Sequence, residues 1–227
     1  MDGVINIYKE AGWTSFDVVA KMRGILKIKK IGHTGTLDPA AEGVLPVCVG
    51  KGTKKVESFM EDDKVYRAVM LLGVTTDSQD MTGEILAWKE VNADESEVRE
   101  AIMSFVGGYD QLPPMYSAKK VGGKKLVDLA RKGVEVERKP RFVNIMGIEI
   151  ESIQLPRVTM TVTCSKGTYI RTLCHDIGQK LGCGGAMESL LRTRVGRFRL
   201  EDAVKLGDLQ KLADEDRLEE VVITDIF

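Results

Sequence analysis

The chain has 227 residues, 43% apolar and 30% charged, which fits a globular protein of one large or two modest domains and excludes a disordered chain. No apolar run approaches the roughly 18 residues that span a membrane, and the N-terminus lacks the basic-then-apolar pattern of a secretory signal. The 33 basic and 34 acidic residues give a net charge of −1, which by itself argues against a strongly basic nucleic-acid binder.

In chain order, residues 4–8 read as a strand and residues 10–13 as a turn. Thr14 or Ser15 can then cap a helix whose apolar face includes Val18, Met22, Ile25 and Leu26. Residues 32–43, with three glycines and Pro39, are too irregular for a helix or strand. Residues 44–49 form a buried-strand pattern in which Pro46 points to an edge or bulge, and residues 65–72 read as another strand. Asp94 and Glu97 fit a capping box ahead of a helix that presents Val98, Ile102 and Phe105. Residues 107–125, broken by Gly107, Gly108, Pro113, Pro114, Gly122 and Gly123, read as a long loop of the kind that is functional or mobile. A short helix is expected at 125–132, ended by Gly133, then strands at 142–153 and 158–164. In the second strand Val158, Met160, Val162 and Cys164 alternate with threonines, as in a half-solvated antiparallel strand. Thr168 can cap a helix reaching Leu181, residues 194–200 resemble a strand, and the tail reads as helical. Together these elements predict an α+β (mixed α/β) domain around one large, mainly antiparallel central sheet.

Charge is unevenly distributed. Residues 201–227 hold three basic and nine acidic groups, leaving the other 30 and 25 to residues 1–200. Basic groups cluster at residues 21–30, at 117–142, and at Arg192, Arg194, Arg197 and Arg199. Each cluster alone fits a solvated surface, but three on one chain favour a polyanionic partner. Cys48, Cys164, Cys174 and Cys183 show no Cys-x-x-Cys spacing, and two histidines are too few to complete a zinc set. The cysteines are expected as small buried groups in a reducing cytoplasm.

Common catalytic motifs are lacking, and residues 43–52 fit a phosphate loop poorly in glycine spacing. Asp77, Asp80 and Glu84 do not have calcium-loop spacing and read as a polar turn. The informative stretch is Gly32-His33-Thr34-Gly35-Thr36-Leu37-Asp38-Pro39. Its glycines permit close backbone approach, and Pro39 pushes Asp38 out of helical geometry. By its residues alone it fits either a surface turn or a carboxylate presented as nucleophile or general base.

Set beside its neighbours, this stretch resembles the signature loop of the TruB family of tRNA pseudouridine synthases. Gly3-Val4-Ile5-Asn6-Ile7-Tyr8-Lys9 with Gly12-Trp13-Thr14-Ser15 resembles the family's N-terminal motif. Lys64-Val65-Tyr66-Arg67-Ala68, with Leu72-Gly73, Thr76-Asp77, Asp80 and Gly83, resembles the next. Further matches are Pro113-Pro114-Met115-Tyr116-Ser117-Ala118-Lys119-Lys120, Cys164-Ser165-Lys166-Gly167-Thr168-Tyr169-Ile170-Arg171, and Leu191-Arg192-Thr193. They run in the family's order over nearly the whole chain.

The resemblance implies that uracil at position 55 of the tRNA T loop is detached from ribose, rotated and rejoined through C5, with no cofactor or metal. It implies Asp38 as the essential carboxylate, Arg171 as the arginine that pairs with it, and Tyr66 as the ring on the target base. It places Tyr169 and Leu191 in the same pocket, where plain core packing is the other reading. It gives His33 a role in opening the T loop, and Lys9 a structural or phosphate role near the site entrance. The target base must leave its stack, at a cost lower in a loop than in a duplex.

The resemblance also implies a single catalytic domain over 1–227, a mobile RNA-binding thumb at 117–142, an acidic helical tail at 201–227, and a cytoplasmic monomer. The family's usual C-terminal PUA domain is expected to be absent, and Val127 stands where the family usually has an aromatic residue. The alternative reading is a non-catalytic RNA-binding or tRNA-folding protein using the same surface. The intact set of Asp38, Tyr66 and Arg171 favours the enzyme.

Overall fold

A computed structural model describes residues 1–117, 120–121, 124–125, 134 and 136–225. The chain forms two compact units, Met1–Arg67 with Leu190–Phe227, and Ala68–Ser189. The first unit opens with β1 (Gly3–Lys9), α1 (Ser15–Leu26), β2 (Ile31–His33), β3 (Glu42–Val49), a 3₁₀ turn at Gly50–Lys55 and α2 (Val56–Met60). β4 (Lys64–Leu72) carries the chain into the second unit. There follow β5 (Val74–Thr76), β6 (Ile85–Trp88), α3 (Glu95–Met103), β7 (Gly107–Gln111), β8 (Lys120–Val121) and β9 (Lys124–Lys125). β10 (Arg141–Gln154), β11 (Arg157–Cys164) and α4 (Ile170–Lys180) complete that unit. β12 (Gly185–Val195) returns to the first unit, which ends with β13 (Phe198–Arg199), β14 (Val204–Lys205), α5 (Leu206–Asp214) and β15 (Val222–Ile223). The class is α+β, as expected. Among the described strands pairing is mainly antiparallel, with β1–β14 and β3–β12 parallel.

In the first unit β1 and β3 are buried on both faces, which is why they read as near-continuous apolar runs. Ile5, Ile7, Leu45, Val47 and Val49 meet α1 and α5 through Val18, Met22, Ile25, Leu26 and Leu209. The alternate residues Val4, Val44 and Cys48 meet Val195 and Phe198 on the other face. Thr14 caps α1 in a reciprocal box with Asp17, choosing between the two candidates. Pro46 is not at an edge, because β3 has neighbours on both sides. One side changes partner from β12 at Glu42–Gly43 to β2 at Val47–Val49, and Pro46, which has no N–H, falls in the gap.

The second unit rests on β11, whose side chains alternate as the pattern predicts, on β10 paired with it, and on β7 paired with β10. Asp94 and Glu97 form the predicted capping box of α3. Residues 107–111 are a strand, not loop. A Cβ on Gly108 would collide with the Phe142 ring, so this glycine lets the aromatic side chain lie across the strand. Thr168 does not cap α4. Its hydroxyl donates to the Ser165 carbonyl, and Tyr169 occupies the cap position. The predicted strand at 194–200 is the end of the longer β12 followed by β13. Much of the predicted thumb, most of the helix expected at 125–132, and Val127 lie outside the described residues. The tail folds as α5 and short 3₁₀ and strand segments, not as helix throughout. All four cysteines are buried. No helix among the described residues is long and apolar enough to cross a membrane.

Candidate active site

In the first unit the irregular stretch after β2 is anchored almost residue by residue. Thr34 donates its N–H (3.1 Å) and its hydroxyl (3.2 Å) to the Pro46 carbonyl on β3. Gly35 donates its N–H to His33 Nδ1 (3.3 Å). Leu37 is buried, and its N–H donates to Ser15 Oγ (2.9 Å), which donates back to the Leu37 carbonyl (3.3 Å). The Ala41 N–H closes a turn onto the Asp38 carbonyl (3.0 Å), and the Gly12 N–H holds the Pro39 carbonyl (2.8 Å). Asp38 is therefore presented, half-buried, from a backbone fixed on both sides.

Two buried cations complete this frame. Lys9 is fully buried, and its ammonium donates to the carbonyls of Trp13 (2.6 Å), Glu10 (3.2 Å) and Pro39 (3.2 Å). Burial holds Lys9 down to about 8, opposed by the negative charges of Asp38 and Glu42. Of the two roles expected for Lys9, this geometry fits the structural one. Arg192, on β12, donates to the carbonyls of Val44 (2.7 Å), Gly35 (3.0 Å) and Thr36 (3.5 Å). Its inclusion in a phosphate-facing cluster is corrected: it is 1% exposed.

His33 closes β2, and burial, with Arg192 second, holds its imidazole below the usual range. Because Nδ1 accepts from Gly35, the neutral ring carries its proton on Nε2. Tyr66 is buried on β4, while Leu191 is half-buried on β12 and paired in register with Glu42. The first unit thus holds Lys9, His33, Asp38, Tyr66 and Leu191.

Arg171 and Tyr169 lie in the second unit, at the start of α4. Arg171 is buried, its guanidinium 3.8 Å from the Asp80 carboxylate and 5.9 Å from the centroid of the Tyr169 ring. Asp80 is itself held by Ser78 Oγ (2.8 Å), Thr82 N–H (2.9 Å) and Thr82 Oγ1 (2.5 Å). The neighbouring Gln79 accepts from Thr172 Oγ1 (2.6 Å), so the turn is tied to α4 at adjacent positions. Reading Asp77, Asp80 and Glu84 as a plain polar turn therefore missed that Asp80 faces Arg171. Gln111 on β7 clamps the Tyr169 backbone, accepting from its N–H (2.8 Å) and donating to its carbonyl (3.0 Å). Gln111 also donates to Tyr109 Oη (2.6 Å), which donates to Asp176 (3.3 Å). Burial pushes Asp176 up to about 6 and raises Tyr109. The composition and spacing around Gln111 carried no signal of this role.

The remaining arginines are largely compensated. Arg197 pairs with Asp225 (2.8 Å), and Arg199 lies 3.5 Å from Glu201, so the tail neutralises part of the cluster it follows. Lys27, Lys29 and Lys30 are exposed, as is Lys54 on the 3₁₀ turn, and the Gly50 N–H that opens this turn bonds the Lys30 carbonyl (2.9 Å). Those lysines form a basic surface of the first unit. Among the described residues no group of three or more His, Cys, Asp or Glu is placed to hold a metal.

Residues 23–170 match the TruB family pseudouridylate synthase N-terminal domain, and residues 171–224 match the tRNA pseudouridylate synthase B C-terminal domain. The chain is 53% identical over 212 residues to tRNA pseudouridine synthase B of Alkaliphilus oremlandii, covering 93% of this chain and 71% of the relative. It is 54% identical to the protein of the same name from Clostridium acetobutylicum, covering 93% and 73%. Among solved structures, a Cbf5-Nop10-Gar1 complex is similar at TM-score 0.75 and 34% identity, covering 96% of this chain and 57% of that one. An H/ACA RNP bound to a substrate RNA containing 2'-deoxyuridine is similar at TM-score 0.73 and 30% identity, covering 97% and 58%. The chain spans less than two thirds of those two structures' chains. The chain belongs to the TruB family of pseudouridine synthases, isomerases whose curated relatives here are tRNA pseudouridine synthases.

Proposed function

We propose that the chain converts uridine 55 in the tRNA T loop to pseudouridine, with Asp38 as the essential carboxylate. The observation that carries this reading is the immobilised loop around Asp38, since a carboxylate fixed before substrate arrives avoids reorganisation during the reaction. The C1′–N1 bond breaks and a C1′–C5 bond forms. C5 gives up a proton and N1 gains one, so the formula is unchanged. Arg171 pairs with Asp38 and keeps it ionised. Tyr66 stacks on the flipped base, and its hydroxyl serves proton transfer. Tyr169 and Leu191 line the pocket. His33 enters the opened T loop, where the Nε2–H can donate. Lys9 holds the loop from within. The residues do this chemistry without cofactor or metal.

RNA is held through its phosphates by the exposed lysines of the first unit. The enzyme is a cytoplasmic monomer acting from one catalytic domain. Incubation with an unmodified tRNA transcript, followed by mapping of pseudouridine, tests the reading. Product at position 55 is expected from the wild type and none from Asp38→Asn. A wild type without product sinks the function, and an active Asp38→Asn sinks the residue assignment.

A further inference from the structure

We propose that Arg192 is a positioning residue for the catalytic carboxylate: its buried guanidinium holds the Gly35 and Thr36 carbonyls and thereby sets where Asp38 stands. The inference rests on the reading that Asp38 carries out the chemistry. Arg192 fastens a rigid element to an irregular one. Nε donates to Val44 of β3, fully buried in the first unit, while the two terminal nitrogens donate to carbonyls two and three residues before Asp38. Among the described residues these hydrogen bonds all go to main-chain carbonyls, so the guanidinium acts as a backbone bracket. The planar fork suits this task, because an ammonium is a point charge and cannot hold three spread acceptors in one plane.

The approach of β12 is built in. Arg192 pairs in parallel register with Gly43, and a Cβ on Gly43 would collide with the Arg192 main chain. Gly43 sits at φ +106, which a side chain rarely adopts, so the close approach and the backbone conformation both call for glycine. Ser15 fixes the next residue, Leu37, and Lys9 with Gly12 fixes Pro39. Arg192 therefore governs the stretch that enters the turn, while the others govern the turn itself. Without it, the Gly35 and Thr36 carbonyls lose their donor and the stretch is free to shift toward water, which moves Asp38 and leaves the β1–β3 layer in place.

Wild type, Arg192→Lys and Arg192→Gln are compared by three measurements. These are single-turnover pseudouridine formation with enzyme in excess, tRNA Kd by filter binding, and amide hydrogen exchange at residues 34–38 against β3. Arg192→Gln is expected to lose on the order of 10²-fold in rate at saturation, with Kd changed by less than about threefold. Arg192→Lys is expected to recover part of that rate, since it keeps the charge and loses the fork. Exchange at 34–38 is expected to quicken in both while β3 stays protected. A wild-type rate in a folded Arg192→Lys and Arg192→Gln, a loss confined to Kd, or unchanged exchange at 34–38 overturns the proposal. If Arg192→Gln does not fold, Arg192→Lys decides by the same criteria. A wild type that makes no pseudouridine counts against the function instead, and the exchange measurement still decides whether Arg192 holds the loop.

Discussion

The two units immobilise their chemistry-bearing residues by opposite means. In the first, Asp38 sits on irregular backbone whose carbonyls have no ladder to join, and the donors come from buried cations, Lys9 and Arg192, with Ser15 and Gly12. In the second, Arg171 and Tyr169 begin a helix whose own bonds fix the backbone, and the additional partners, Asp80 and Gln111, orient a side chain and the helix entry. Irregular chain needs its main chain satisfied before it can aim a side chain, whereas regular chain needs only the side chain aimed.

The comparison breaks most sharply at Arg171. Arg171→Met removes an oriented cation from the start of a helix, and the single-turnover rate is expected to fall on the order of 10²–10³-fold, with melting lowered as well because buried Asp80 loses its cation. A rate within tenfold of wild type would show that orientation in the second unit contributes little. In the first unit Lys9→Met should act on stability as well as rate, because it strips donors from buried carbonyls. Urea unfolding at pH 7 is expected to show a loss of about 2–3 kcal/mol. The pH dependence sharpens this assignment. Burial holds Lys9 down to about 8, below its unfolded value, so the unfolded chain binds more protons between about 8 and 10.5. Stability from this group therefore rises with pH across that window, and Lys9→Met should abolish the rise.

A smaller effect is expected at Asp176, behind the Gln111 clamp. Burial pushes its carboxyl up to about 6, so the folded chain binds more protons between its unfolded value of 3.8 and about 6. Stability is lost as pH rises through that window. Asp176→Asn keeps an acceptor for Tyr109 and should melt higher than wild type at pH 7, by roughly 1–3 kcal/mol, with the advantage vanishing near pH 4. An advantage that persists at pH 4 would mean that the carboxylate's burial is not its source.

The capped helices α1 and α3, the apolar strands and the alternation of β11 were legible because each depends on neighbours in sequence. The family was legible through the motif that carries Asp38. What escaped were pairings across long separations. Arg192 has the same local appearance as Arg197, yet one is buried under a loop more than 150 residues earlier and the other meets Asp225 in the tail. Pro46 looked like an edge signal because the switch of partner along β3 depends on β2 and β12 together. Gly108 looked like loop because its reason, the Phe142 ring, lies on another strand. Net charge misled for a similar cause, since the tail's acids include partners of arginines on the body.

β1 pairs with β14 and β15, so the unit carrying Asp38 is assembled from segments on either side of Ala68–Ser189, which is continuous. During synthesis the continuous stretch is complete while Arg192 has yet to be made. Long loop closure makes the first unit the slower to form, which places the order of assembly under the control of topology. Pulse-labelled hydrogen exchange during refolding is expected to protect β10 and β11 before residues 34–38. The Asp38 loop is then set only when β12, β14 and β15 have docked, and a nascent chain that has not yet reached them presents Asp38 on a loop not yet fixed.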